Sequence, residues 1–334
     1  MAKGESYMKF IDIIIPAYNA KKHIDKLFQS FERQNNDQFR AIVVDDGSSD
    51  GTYDYCLALS KKYSFDMLVT TQQNQGPGIA RRTGLELSDS EYVMFCDADD
   101  YLADEALNTI VKILDHEVLD VLEFGYQKVN EQGEKMASLN LTDEYVVTGC
   151  LAHYIKHVNT TDYLCNKVFR RGIMSASDFK PLFYCEDVRA LAFIFSRCSK
   201  VKVINNKLYY YVINDNSACR QRFSSRRLDM LKAGEDIINL VREHDLSLLP
   251  FAACNICDSI TKLYRGFYRS SALDNKLSEF LRNTFMNYYK ILKSDRKRVY
   301  KTKSKRQIFA IELYKVSPFL FRGVAKIYKS PVSK

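Results

Sequence analysis

No stretch of this 334-residue chain approaches the ~20 consecutive apolar residues that a membrane-spanning helix needs, so no bilayer crossing is expected. An apolar signal core is missing too. Met1-Ala2-Lys3-Gly4-Glu5-Ser6 leads into Phe10 to Ile15, which Asp12 interrupts, and export is not expected. Cysteine is present but without framework spacing: the nine, at 56, 96, 150, 165, 185, 198, 219, 254 and 257, lie in apolar surroundings and read as reduced core thiols. Cys254-x-x-Cys257 has no second pair, and His153 and His157 lack the Glu of a zinc-protease helix, so no zinc centre is expected. Internal repeats and low-complexity tracts are absent as well. The expectation is a protein that stays in the cytosol.

What remains is an ordinary globular composition, 46% hydrophobic and 27% charged, in a chain long enough for one sizeable core and a second domain. The net charge of +8 is unevenly placed. Residues 291–334 hold 13 Lys and Arg against 2 acids, so the first 290 residues are slightly acidic and the basicity belongs to the C-terminal segment.

Apolar runs and helical spacing alternate along the first two thirds. Ile11 to Ile15, Ala41 to Val44, Met67 to Thr71 and Tyr92 to Cys96 read as buried strands, the first ended by Pro16. Helices are expected near 20–34, 52–63, from Gly76-Pro77-Gly78 to Leu87, and 103–116. Such alternation implies βαβ units on a mostly parallel sheet whose strand ends share one rim. Further on, Val118 to Val129 and Val201 to Val212 read as strands, with helices near 148–158 and from Glu186 to Phe195. From Ser224 onward glycine is scarce and helical periodicity dominates, which gives a boundary near residue 220: an α/β domain over 1–220 and a helical region over 221–334.

Asp97-Ala98-Asp99-Asp100 follows the fourth strand, delivering carboxylates where a buried strand meets solvent. In an open α/β sheet that is where ligands bind, and closely spaced carboxylates suit Mg²⁺ or Mn²⁺ carrying a nucleotide diphosphate. The plainer reading is that Asp99 or Asp100 caps the following helix.

Three other segments join this tetrad: Ile13-Ile14-Ile15-Pro16-Ala17-Tyr18-Asn19, Val43-Val44-Asp45-Asp46-Gly47-Ser48-Ser49-Asp50 and Asn74-Gln75-Gly76-Pro77-Gly78-Ile79-Ala80-Arg81. In that order they resemble the GT-A glycosyltransferases of family 2, and the resemblance continues through Asn166-Lys167-Val168-Phe169-Arg170, Glu186-Asp187-Val188 and Tyr209-Tyr210-Tyr211, covering roughly residues 10–220. It implies a Rossmann-like GT-A fold and a nucleotide-sugar donor, UDP-linked. Pro16, Tyr18, Asp45, Asp46, Asn74, Gly76, Arg81, Asp97 and Ala98 would then form the donor side. Asp46, ahead of Asp45, would accept from a base N–H. Arg81 would approach the diphosphate as a bidentate donor, and Asp99, with Asp97, would hold Mn²⁺ or Mg²⁺. By the same resemblance Asp187, beside Glu186, is the base that takes the acceptor proton, while Lys167, Tyr210, Tyr211 and Ser217 lie toward the acceptor. Taken one at a time each has a structural reading: a turn and cap at Asp45-Asp46-Gly47, a solvated helix face at Arg81-Arg82, an acid favoured by a helix N-terminus at Asp187, and a half-buried strand at the tyrosines.

Two departures from the family pattern matter. Cys165 stands where relatives commonly carry Trp before Asn-Lys, and the chain has no Trp at all, hence no Gln-x-x-Arg-Trp motif of processive synthases. One sugar per encounter is the expected mode, with inversion at the anomeric carbon.

Lys293, Arg296, Lys297, Arg298, Lys301, Lys303, Lys305 and Arg306 precede Phe309, Ile311, Leu313, Tyr314, Phe319, Leu320 and Phe321. That pairing suits an anionic inner-leaflet surface and a lipid-linked acceptor; the alternative is a solvated basic helix with core residues. Nucleic acid is not an expected partner. The reading is an inverting, metal-dependent glycosyltransferase acting on a cell-surface polysaccharide or lipid-linked acceptor, with a nucleotidyltransferase or a non-catalytic nucleotide-binding membrane scaffold as rivals.

Overall fold

The computed structural model describes residues 10–213 and 224–327, and the chain divides into two compact units. The first takes the chain through Tyr154 together with Asn159–Ser217; the second takes Ile155–Val158 and everything from Ala218.

Ten strands form one sheet in the first unit: β1 (Ile11–Ala17), β2 (Phe39–Asp45), β3 (Asp66–Thr71), β4 (Tyr92–Phe95), β5 (Tyr101–Leu102), β6 (Val121–Asn130), β7 (Lys135–Ser138), β8 (Glu144–Val146), β9 (Lys167–Arg170) and β10 (Val201–Ile213). Their order is 3-2-1-4-9-6-10-5, with β7 on β6 and β8 on β10. Strands 3, 2, 1 and 4 are mutually parallel, and β9 runs antiparallel between β4 and β6. β6 and β10 are parallel to each other. The carboxyl ends of β1, β2, β4, β6 and β10 therefore face one rim.

Helices α1 (Ile24–Glu32), α2 (Thr52–Leu59), α3 (Pro77–Leu87), α4 (Ala106–His116), α5 (Cys150–Lys156) and α6 (Glu186–Ser196) connect them. Ile24, Leu27, Phe28 and Phe31 of α1 pack with Ile13 and Ile15 of β1 and with Phe39 and Phe65 in one buried cluster. Gly84 of α3 lies so close to β1 that a Cβ there would stand 2.3 Å from Ile14 Cγ2.

Two local expectations are corrected, and the one charge inside β1 finds its partners. Pro16 does not end β1: it pairs with Val44, and the strand continues to Ala17. Its missing N–H costs nothing because β4 pairs only with Ile11 to Ile14, leaving no ladder partner on that side. Asp12, which breaks the apolar run, is wholly buried, where Arg40 grips it at 2.8 and 2.9 Å while Asp89 N and Ser90 N donate to it. And neither Asp99 nor Asp100 caps a helix, since Tyr101–Leu102 form β5 before α4 begins at Ala106.

The second unit is helical throughout its described residues: α7 (Asp229–His244), α8 (Leu249–Arg269), α9 (Asn275–Lys293), α10 (Arg296–Tyr300), α11 (Lys305–Val316) and α12 (Pro318–Ile327). Its core gathers around α8, whose buried face carries Phe251, Ile256, Ile260, Leu263, Tyr264 and Phe267. None of its helices is long and apolar enough to cross a membrane.

Candidate active site

Two loops at the carboxyl rim are pinned to each other. Asp46 N donates to Ala17 O at 2.8 Å, Asn19 N to Ser48 Oγ at 2.8 Å, and Ser49 N to Asn19 Oδ1 at 3.0 Å. This leaves Tyr18 standing out from the rim with 56% of its surface exposed. Gly47, at φ 72°, touches the next loop so closely that a Cβ would lie 2.9 Å from Asn74 N.

Asp45 and Asp46 are both buried but differ in what they do. Asp46 accepts Gln72 Nε2 at 2.8 Å, Gln75 N at 2.9 Å and Gly76 N at 2.8 Å, so it fixes the entry to α3. Asp45 Oδ2 accepts Ser48 N and Thr71 Oγ1, while its Oδ1 is buried with no hydrogen-bond partner. A buried carboxylate oxygen without a partner is costly in a folded protein.

Gly76 adopts φ 90° and Pro77 fills the first turn of α3, which sets Arg81 facing inward. Arg81 is 7% exposed. Its guanidinium donates to Asp97 Oδ1 at 2.9 Å and to Glu186 Oε1 at 2.8 Å, and its Nε is buried without a partner. Burial opposes its charge, but Asp97, Glu186 and Asp187 outweigh that and hold the group more firmly protonated than a free arginine.

The tetrad after β4 divides its labour. Asp100 is spent internally: Tyr209 Oη donates to Oδ2 and Val212 N to Oδ1, both at 2.7 Å. Tyr209 Oη also accepts Asp97 N at 3.1 Å, so β10 is stitched to this loop. Burial, then the neighbouring charges of Asp99 and Asp97, push the Asp100 carboxyl well above the usual range. Asp97 remains partly open, with one oxygen on Arg81. Ala98 is buried and Asp99 partly exposed. Among the described residues, Asp97, Asp100 and Cys165 bring potential ligand atoms within 4.8 Å of one another. That trio holds a buried thiol and the already bonded Asp100, so the hard oxygens that suit Mg²⁺ or Mn²⁺ are those of the partly exposed Asp97 and Asp99.

Glu186 and Asp187 form the first turn of α6, entered through Cys185 at φ 62°. Burial first, then the like charge of Glu186, raise the Asp187 carboxyl well above its ordinary value against the opposing pull of Arg81, although the side chain keeps some access to solvent. A carboxylate of raised pKa is a stronger base.

The acceptor-side residues separate. Lys167 does not reach an acceptor. It is wholly buried on β9, donating to Thr161 Oγ1 and Tyr163 O at 2.8 Å and lying 3.1 Å from the equally buried Glu123. Tyr210 and Tyr211 point to opposite faces of β10. Tyr210 stacks on Tyr101 at 4.8 Å, while Tyr211 lies 6.2 Å from both Tyr126 and Tyr163, with Lys128 Nζ 5.8 Å from its ring. Ser217 lies outside the described residues. The bond from Tyr209 to Asp100, and the grouping of Tyr126 and Tyr163 with Tyr211, were not read from the sequence. The one local sign was that Tyr209 shares its strand face with Tyr211.

A parallel 3-2-1-4 sheet carrying this acidic rim and an inward arginine defines a GT-A type domain. Residues 12–176 match the model of glycosyl transferase family 2, and the chain carries a glycosyltransferase domain of that family. A poly(ribitol-phosphate) beta-N-acetylglucosaminyltransferase, TarS of Staphylococcus aureus, is 28% identical over 209 residues, 61% of this chain and 35% of the relative. The chain thus spans about a third of that relative's length. The uncharacterized glycosyltransferase EpsJ of Bacillus subtilis is 25% identical over 62% of each chain, and the glycosyltransferase GlyG of Streptococcus pneumoniae is 20% identical over 72% of this chain and 89% of its own. The crystal structure of S. aureus TarS 1-349 with UDP-GlcNAc superposes with a TM-score of 0.63 at 20% identity, covering 87% of this chain and 92% of that one, and the UDP complex gives 0.60 at 19%.

Proposed function

We propose that this protein transfers one sugar from a UDP-linked donor to a hydroxyl of a cell-surface polysaccharide or lipid-linked acceptor, with inversion. The observation that carries the reading is the buried Arg81, which joins the acid of the donor loop to the first turn of the helix bearing Asp187 while its own Nε lacks a partner.

On the donor side, the open Asp45 oxygen, with Asp46 bracing the loop beside it, offers an acceptor for a base N–H, and Tyr18 offers a face for the ring. The unpartnered Arg81 Nε supplies a donor to a diphosphate oxygen. A divalent ion, Mn²⁺ or Mg²⁺, held by Asp97 and Asp99, supplies positive charge to the diphosphate when bound. Asp187 takes the proton from the acceptor hydroxyl as its oxygen bonds to the anomeric carbon. The bond from that carbon to the β-phosphate oxygen breaks, and the nucleoside diphosphate departs. With no protein nucleophile in the sequence of events, the displacement is direct and inverts the centre. The acceptor is reached from a peripheral position at an anionic membrane surface, through residues 291–334.

Because the similar S. aureus TarS 1-349 structure is a complex with UDP-GlcNAc, that donor heads the panel to be tested. The full chain, given UDP sugars with Mn²⁺, should release UDP from one of them. Pyrophosphate release from UTP and a sugar phosphate would instead identify a nucleotidyltransferase, and nucleotide binding without turnover of any donor would identify a scaffold.

A further inference from the structure

The second unit shows an apolar corner where α11 meets α12. Phe309 is 52% exposed, Val316 66%, Phe319 74% and Leu320 55%. Single exposed hydrophobics are unremarkable, but four large ones at the meeting of two consecutive helices form a patch. Phe309 and Val316 are seven residues apart and share a face of α11, while Ile311 and Tyr314 bury the other. The outward face of α11 thus carries two large apolar side chains beside Lys305 and the paired Glu312.

This corner is firmly held. Tyr314 packs edge-on against Tyr264 at 5.0 Å, Phe285 at 4.8 Å and Phe321 at 5.5 Å. Arg282 donates to the carbonyls of Tyr314 and Lys315 at the end of α11, and Arg322 Nε to Tyr264 Oη at 2.6 Å. The exposed residues are thus presented on a fixed support rather than on a frayed end.

The segment that carries it is strongly basic. Residues 291–334 contain two acids, and both are already paired: Asp295 with Arg298 at 3.3 Å, and Glu312 with Arg296 at 3.3 Å and with the hydroxyls of Tyr289 and Tyr300. Lys293, Lys297, Lys301 and Lys305 are exposed, and Lys305 lies one turn before Phe309 on the same face. Exposed aromatic and aliphatic side chains on a strongly basic segment match an anionic lipid interface, which takes apolar groups below its headgroups and cations at them.

We propose that Phe309, Val316, Phe319 and Leu320 form a wedge that inserts into an anionic membrane surface, with the neighbouring lysines at the headgroups. It rests on the peripheral location in the reading above but not on any catalytic assignment. The test is co-sedimentation of the full chain with vesicles of phosphatidylcholine containing phosphatidylglycerol, compared with phosphatidylcholine alone. Wild type should bind the anionic vesicles and retain part of that binding at high salt, because the apolar contribution is not screened. The variant Phe309→Ser/Phe319→Ser/Leu320→Ser should lose vesicle affinity by roughly tenfold or more, since all three changes remove exposed side chains only. Its circular dichroism and its UDP release from a soluble donor should match wild type. Equal vesicle binding by the two proteins overturns the wedge. So does wild-type binding that vanishes entirely at high salt, or a wild-type dimer that the variant breaks without a change in vesicle binding. Absence of donor turnover in both proteins, with vesicles bound by wild type and lost by the variant, sinks the catalytic reading and supports the wedge.

Discussion

Arg81 Nη1 donates to Glu186 Oε1 at 2.8 Å across 105 residues of chain, and through that bond α3 is tied to α6, the helix that carries Asp187. The second arm of the same fork holds Asp97 at 2.9 Å. A planar guanidinium holds the two acids in one fixed fork; an ammonium is a point donor without that planar geometry and does not reproduce it.

Arg81→Lys should therefore preserve the charge and lose the bridge. Steady-state kinetics should show kcat/KM down by roughly tenfold or more, with part of the loss in donor KM. Unchanged kinetics would mean that the fork has no part in turnover.

Asp187→Asn should lower kcat by about 10² to 10⁴ while donor affinity, read by calorimetry, stays close to wild type. The raised Asp187 carboxyl must be ionised to act, so activity should rise with pH along a limb lying above the ordinary carboxylate range. Glu186→Gln removes the like charge and should move that limb to lower pH. The stability sign is opposite: folded Asp187 holds its proton more tightly than the unfolded chain does. Its contribution is fully present below the unfolded value and is lost as pH rises through the folded one.

Asp99→Ala should weaken donor binding in the presence of Mn²⁺ and leave the smaller metal-free binding unaltered. Calorimetry with and without a chelator separates the two. Equal metal dependence in both proteins would remove Asp99 from the ligand set.

Lys167→Met leaves Glu123 buried without its cation and should cost about 3–5 kcal/mol in denaturant unfolding. The double variant Lys167→Met/Glu123→Leu should recover much of that loss, which an acceptor-binding lysine would not do.

Gly84→Ala drives a methyl into Ile14 of β1 and should destabilise by about 1–3 kcal/mol, measured as a lowered urea midpoint at unchanged slope. Its purpose is packing, so donor affinity at temperatures well below unfolding should follow wild type.

Much of the architecture was legible in the chain because apolar runs of four to seven residues between helical repeats admit few arrangements, and β1 to β4 fell close to their expected spans. Placing the acids of the β2 and β4 loops on one rim followed from the parallel crossover rule alone. The errors have a common origin. Pro16 looked like a strand end because its missing N–H was visible, whereas the early end of β4 that makes the loss harmless was not. Tyr210 and Tyr211 looked equivalent as neighbours, and only Tyr209 Oη on Asp100 shows which face of β10 meets the acidic loop.

Composition and periodicity determined the α/β class and the shared rim, since these depend on local pattern and on how a chain of L-residues can cross a sheet, while the acids were singled out by resemblance to the family. Tertiary structure alone decided which polar groups were already satisfied. It buried Lys167 against Glu123, spent Asp100 on β10, left one oxygen of Asp45 and one nitrogen of Arg81 open, and turned four apolar residues of the C-terminal helices outward. The reason is physical: a side chain's type fixes how many hydrogen bonds it can make, but its partners come from distant segments, and only packing brings those within 3 Å.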